Sequence, residues 1–249
     1  RNHSSAASDV YKRQEEYLVV WMQNNSVLND LYDIYGRRVT AVGGAFTYVD
    51  APFNISDFAM EVGRSAEPPA VAYGDVNGQR LFFVVWSDDR IGDDKKEIHG
   101  QFIDATDASF IDSNFQISNV GHHGVEFDGI EAAVVFNDNQ EQFLVTWRDD
   151  RLQTSNVISD IFGRIIDGVS KDTSYGAEFR IAHTSDVGAG RTARNPALAW
   201  NYTDREYMVV WEADQLNGNN NDRFEIFGQR LDSMGTCLLY TSDAADEWL

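Results

Sequence analysis

Side chains that could act on a ligand gather in three connecting segments of this 249-residue chain. EVGRSAEPP (61–69) carries Arg64 and Glu67, GHHGVEFDGIE (121–131) carries His122, His123, Asp128 and Glu131, and AHTSDVGAGRTARN (182–195) carries His183, Asp186, Arg191 and Arg194. Glycoside hydrolysis needs two carboxyl groups about 5–9.5 Å apart, one on each side of the scissile bond. Glu67 and Glu131 are the pair on offer, although the corresponding region of the third segment has Asn195 in place of an acid. Around them Arg64, His122, His123, Asp128, His183, Arg191 and Arg194 are expected to supply ligand contacts. His122 and His123 are adjacent, and neighbours in an extended segment point to opposite sides, so they make a poor metal pair.

A second set of acids follows a repeated tryptophan by three places: Asp89, Asp150 and Asp214, with Asn24 at the first such position. Calcium favours carboxylate and amide oxygens of this kind. Asp and Asn also hold turns by bonding their own backbone, and turn chemistry is the simpler expectation here. Calcium is the one cofactor left open. No glycine-rich phosphate loop, nucleophile elbow or metalloprotease helix occurs.

The elements that must position these residues are visible as a repeat. EYLVVW, LFFVVW, QFLVTW and EYMVVW end at Trp21, Trp86, Trp147 and Trp211, spaced by 61 to 65 residues. Each is followed by a second motif: DIYGRRV from Asp33, EIHGQFID from Glu97, DIFGRIID from Asp160 and EIFGQRLD from Glu225. Two further series are FNIS, FQIS and FRIA (53–56, 115–118, 179–182) and PAVAY, AAVVF and PALAW (69–73, 132–136, 196–200). Each unit thus holds four short strands. The VVW strand is apolar on both faces, as expected of a strand in a sheet covered on both sides. Asn77-Gly78 within GDVNGQR marks a tight hairpin between the first and second strands.

Four-stranded meanders stacked in series build a β-propeller. The predicted class is therefore all-β, a partial propeller of about three and a half blades, with tandem β-sandwiches as the alternative. The four tryptophans are expected to pack between blades. The mid-strand glycines Gly36, Gly100, Gly163 and Gly228 are read as slots covered by a neighbouring Trp. His99 stands where other units have Tyr35, Phe162 and Phe227, so it is expected to be a packed ring.

The pattern PAVAY, YLVVW, IYGQR, FxIS resembles tandem propeller-like repeats in secreted and surface proteins of bacteria. That resemblance implies fold and an extracellular or cell-surface location. GDVNG (74–78) also resembles the calcium turn of integrin-type propeller repeats, but NDNQE (137–141) and NYTDRE (201–206) lack that pattern.

The ends read differently from the middle. SSAASDVYKRQ (4–14) and CLLYTSDAADE (237–247) translate opposite strands of one DNA segment, as a sequencing adapter would. Residues 1–14 and 237–249 are read as adapter-derived and 15–236 as the repeat fragment. The chain carries 20 Lys+Arg against 40 Asp+Glu, a net charge of −20, which repels phosphate backbones and argues against nucleic acid as a partner. No apolar run approaches a membrane span of roughly 20 residues. Repetition without a repeated catalytic group predicts a non-catalytic binding or display scaffold. A carbohydrate-active hydrolase and a calcium-stabilised adhesion module are the alternatives. The expected partners are a glycan or protein ligand and missing blades of the same chain.

Overall fold

The computed structural model describes residues 16–24, 32–42, 45–57, 65–90, 95–120, 127–152, 158–173, 176–183, 192–214 and 224–238, without the side chains of Val42 and Asp214. Among the described residues fifteen strands form four antiparallel sheets in chain order. Blade I contains β1 (Glu16–Asn24), β2 (Tyr32–Val42), β3 (Ala45–Tyr48) and β4 (Phe53–Asn54), with both β3 and β4 pairing along β2. Blade II runs β5 (Ala70–Val76), β6 (Gln79–Asp88), β7 (Glu97–Asp104) and β8 (Phe110–Gln116). Blade III runs β9 (Gly129–Asn137), β10 (Gln142–Asp149), β11 (Asp160–Asp167) and β12 (Phe179–Arg180). Blade IV has β13 (Ala193–Asn201), β14 (Glu206–Asp214) and β15 (Phe224–Asp232). Among the described residues there is no helix long and apolar enough to cross a membrane.

In blades II and III the second strand is apolar on both faces because each face meets a different blade. Phe82, Val84 and Trp86 of β6 join Leu18, Ile34 and Ile55 of blade I in one core. The alternate residues Phe83 and Val85 join Phe143, Val145 and Trp147 of blade III in the next. Leu144, Ile161 and Ile165 of blade III then meet Tyr207, Val209 and Trp211 of blade IV. Each sheet therefore covers its neighbours in sequence order, and the first strands adjoin in turn, β5 against β9 and β9 against β13. That is the stacking of propeller blades; a sandwich would pair its sheets off in twos. Phe83 anchors one junction, stacked on Phe102 at 4.1 Å between centroids and edge-on to Phe143 at 5.2 Å. Burying such a ring contributes about 1.5–3 kcal/mol.

The register of each unit is the same. Trp21, Trp86, Trp147 and Trp211 lie opposite Tyr35, His99, Phe162 and Phe227. His99 is indeed a buried ring in an aromatic position. Trp86 and Trp147 are fully buried between blades, as expected. The glycine slots need a correction, because their occupant is not Trp. A Cβ on Gly100 would stand 2.7 Å from Phe83 and 2.9 Å from Ile117, and one on Gly36 would meet Ile55 at 2.7 Å. The isoleucine of the FxIS motif, with a neighbouring Phe or Leu, fills the notch. Trp sits one residue further along, above the aromatic. The Asn77-Gly78 hairpin forms as read, with both residues at positive φ (51° and 80°) and Val76 paired to Gln79.

Candidate functional site

The connectors that enter the first strands lie at the same end of the blades as those between the second and third strands. Hydrogen bonds tie the two sets together. Asp89 Oδ1 accepts from the Ser65 backbone N–H at 2.7 Å, and Asp150 Oδ1 accepts from the Asp128 N–H at 2.5 Å. In blades II and III the acid three places after the Trp thus holds that blade's own entering connector, a bond across more than twenty residues rather than the local turn contact expected. Partial burial raises the pKa of Asp89, and it pushes Asp150 up to about 6, with the neighbouring charges of Asp128 and Asp149 adding to the effect. Among the described residues no group of three or more His, Cys, Asp or Glu could hold a metal ion.

Between these connectors lies a cavity of about 420 Å³ lined by Glu67, Pro68, Pro69, Ile130, Glu131, Ala132, Asn195 and Pro196. Three blades contribute through the starts of their innermost strands. The local backbone explains how. In blade III residues 131 and 132 stand opposite the single Trp147, because Arg148 pairs with Ile130 and Thr146 with Ala133. In blade IV residues 195 and 196 stand opposite Trp211 in the same way. Such a β-bulge re-aims a side chain out of the sheet. Glu131 and Asn195 are the residues that turn, at φ 59° and 52°. Asn tolerates this region, whereas for Glu it costs roughly 1–2 kcal/mol. Strain of that kind on an acid facing a cavity is a pointer to function.

Glu131 is held by two donors. Arg148 Nη1 lies 3.3 Å from Oε1, and the Asn195 backbone N–H donates to Oε2 at 2.6 Å. Glu67 pairs with the Lys96 ammonium. Lys96 in turn tethers the adjacent blade: its backbone N–H donates to Asp128 Oδ1 at 2.9 Å, and its carbonyl accepts from Gly129 at 2.8 Å. The two glutamates named from sequence therefore share one cavity, and Asp128 belongs to the network beside it. Arg194 does not line the cavity; it binds Glu212 at 3.1 Å and lies over the Phe224 ring at 3.5 Å. His183 is exposed just beyond β12, away from the cavity lining. Arg64, His122, His123 and Arg191 lie outside the described residues, as does the side chain of Asp214.

Sequence reading missed a polar lock one residue before the acids it singled out. Trp86 Nε1 donates to Asp88 Oδ2 at 2.5 Å, and Trp147 Nε1 donates to Asp149 Oδ2 at 2.8 Å. Arg90 and Arg151 then grip the same carboxylates through Nε and Nη2 at 2.5–3.0 Å. The signal was present as Trp-x-Asp-x-Arg in two successive units. A buried indole N–H needs an acceptor and a buried carboxylate needs a cation, and this motif satisfies both. His99 Nδ1 also lies 3.3 Å from Asp88 Oδ1. Burial nevertheless lowers the His99 pKa to about 4, outweighing the attraction of Asp88.

No family model and no curated protein matches the chain. Solved structures do match. An endo-arabinase from Bacteroides thetaiotaomicron aligns at a TM-score of 0.51 and 13% identity, over 91% of this chain and 75% of that one. A GH43 β-1,3-galactosidase with galactodeoxynojirimycin aligns at 0.53 and 11% identity, over 89% of this chain and 71% of the other. An α-L-arabinofuranosidase from Lactobacillus brevis aligns at 0.50 and 8% identity, over 90% and 72%. At such identities the likeness establishes the fold. The leading functional expectation is corrected here: the three structures just named are an endo-arabinase, a galactosidase and an arabinofuranosidase, and they favour the stated carbohydrate-active alternative over the expected non-catalytic display scaffold.

Proposed function

We propose that the chain is a carbohydrate-active propeller whose glycan site is the cavity at the starts of β5, β9 and β13. The observation that carries this reading is the convergence of Glu67 and Glu131 on one cavity from successive blades. The volume of about 420 Å³ falls in the usual range for small-molecule sites. Its walls combine apolar proline, isoleucine and alanine faces with carboxylate and amide groups, the mixture a sugar needs for its carbon face and its hydroxyls. Glu131 is fixed by Arg148 and the Asn195 N–H, and in this reading it is the carboxylate that acts on the sugar or its water. Glu67 is tethered by the flexible Lys96 side chain and is the group that exchanges a proton with the leaving oxygen. The hydrolase names of the fold neighbours support the carbohydrate-active reading.

The test is a panel of arabinose- and galactose-containing oligosaccharides, assayed for reducing-end release with wild type, Glu131→Gln and Glu67→Gln. Loss of kcat/KM by about 100-fold or more in each variant, with unchanged circular dichroism, is the expected result. Turnover indifferent to both substitutions, or no binding and no turnover across the panel, overturns the reading.

A further inference from the structure

Two buried hydroxyls among the described residues have no hydrogen-bond partner within the protein, Ser87 Oγ and Thr146 Oγ1. A buried hydroxyl left unpaired is costly, and an ordered small molecule commonly supplies the missing bond where other polar groups help to hold it. The two differ in what faces them across the sheet. Thr146 stands opposite Ala133, an apolar neighbour. Ser87 stands opposite Glu67, a wall residue of the cavity.

The register fixes that relation. Ala66 bridges to Asp88, and the Glu67 N–H donates to the Ser87 carbonyl at 2.8 Å, so residues 67 and 87 lie directly across from each other. Side chains opposite in an antiparallel pair leave the same face of the sheet, with Cβ atoms about 5 Å apart. This face is turned toward blade III, because Phe83 and Val85, two and four residues before Ser87 on β6, pack against Phe143, Val145 and Trp147. Ser87 is 1% exposed, while Glu67 reaches the cavity shared with Ile130 and Glu131 of blade III.

The repeat provides an internal comparison. The residue after the Trp is Ser87 in blade II, Arg148 in blade III and Glu212 in blade IV. In blades III and IV this side chain bonds directly to one from the entering connector, Arg148 to Glu131 at 3.3 Å and Glu212 to Arg194 at 3.1 Å. Serine is far shorter than either, and in blade II Glu67 pairs with Lys96 instead. A hydroxyl and a carboxylate therefore share one face at the cavity with no bond between them.

We propose that Ser87 is a further ligand-binding residue of the cavity, its hydroxyl and the Glu67 carboxylate together holding one hydroxyl-type oxygen: a water in the free protein, and a sugar hydroxyl in its place when a glycan is bound. The Ser87 O–H donates to the guest oxygen and the guest O–H donates to Glu67, an arrangement that water and a sugar hydroxyl satisfy equally. The water is independent of the glycan reading above, whereas its exchange for a sugar hydroxyl rests on that reading.

A high-resolution crystal structure of the ligand-free full chain is the first test. An ordered water within hydrogen-bond distance of both Ser87 Oγ and a Glu67 carboxylate oxygen is expected; a Ser87 hydroxyl without ordered solvent overturns the proposal. Urea unfolding of wild type, Ser87→Ala, Glu67→Gln and the double variant is the second. Removing a bonded hydroxyl lowers the urea midpoint and removing an orphaned one raises it, so a Ser87→Ala midpoint at or above that of wild type overturns the water. The double variant is expected to lose less than the sum of the single losses, and strict additivity also counts against a shared guest. The third test is kcat/KM on the oligosaccharide panel, where Ser87→Ala is expected to lose about tenfold, mainly through KM. Turnover by wild type that Ser87→Ala leaves unchanged overturns the exchange with a sugar hydroxyl. No turnover by wild type counts against the glycan reading itself, and the crystal and unfolding results then decide the water site alone.

Discussion

Blades II and III differ from blades I and IV in how they treat the same tryptophan. In the inner pair the indole is fully buried and locked by an Asp–Arg pair; in blade I, Trp21 donates instead to Gln23 at 3.1 Å, and in blade IV the aspartate position is Ala213. The apolar repeat is constant across all four units while the polar lock is confined to two. The strand pattern is therefore what makes a blade. The lock answers a local need, the satisfaction of polar groups where both faces of a blade are covered. Trp21 lies on a face of blade I that stays partly exposed, with Tyr17 and Val19 at 37% and 48%, and there the motif relaxes; Trp211 is buried against blade III with Ala213 in the aspartate position.

The largest effect expected from this contrast is at the lock. Asp149→Ala leaves the Trp147 indole buried without an acceptor and Arg151 with Glu178 as its remaining carboxylate partner at 2.5 Å, and should destabilise by about 2–4 kcal/mol in urea unfolding. Gln23→Ala, the equivalent change in blade I, should cost less than about 1 kcal/mol. Equal losses would show that the two kinds of blade are not distinguished by burial.

His99 sharpens the comparison through pH. Its folded pKa of about 4 lies below the ordinary 6.5, so the unfolded chain takes up the proton first. Its contribution is fully present above pH 6.5 and is lost as pH falls toward 4. Replacement by the residue of the other blades, His99→Phe, should narrow the gap in stability between pH 7 and pH 4.5 by about 2 kcal/mol. A gap that stays the same would locate the acid sensitivity elsewhere.

Glycine gives a smaller contrast. Gly100→Ala drives a methyl into Phe83 and Ile117 and should cost about 1–3 kcal/mol. Gly228→Ala in blade IV meets its nearest atom at 3.4 Å, on Val210, and should cost less than about 1 kcal/mol. The smallest expected effect is at Asp150. Its pKa of about 6 stands above the ordinary 3.8, so ionisation becomes costly as pH rises between those values. Asp150→Asn keeps the acceptor for the Asp128 N–H without the charge, and should raise Tm by about 1–3 °C at pH 7 while changing little at pH 4.

Much of this was legible in the residues. The Trp spacing, the both-sided VVW strand and the Asn77-Gly78 turn implied stacked four-stranded blades, because strand period and turn chemistry are local properties. Glu67 and Glu131 could be named because connectors entering successive blades must emerge at one end. The glycine slots were misread for a reason of register. Gly100 pairs with Val85, one place from Trp86, and a shift of one residue in a strand moves a side chain to the opposite face. Asp88 and Asp149 were passed over because an acid within two residues of a Trp looks like any polar loop until the indole is seen to be buried.

The sequence by itself determined the unit, its four strands and the faces each strand must bury, since these follow from periodicity along a single segment. Tertiary structure alone decided which side chains meet. The bulges that turn Glu131 and Asn195 toward one cavity, the capture of Ser65 and Asp128 by Asp89 and Asp150, and the depressed pKa of His99 all depend on groups brought together across strands and blades. Their energies come from burial and proximity, and neither quantity exists in the chain until the blades stack.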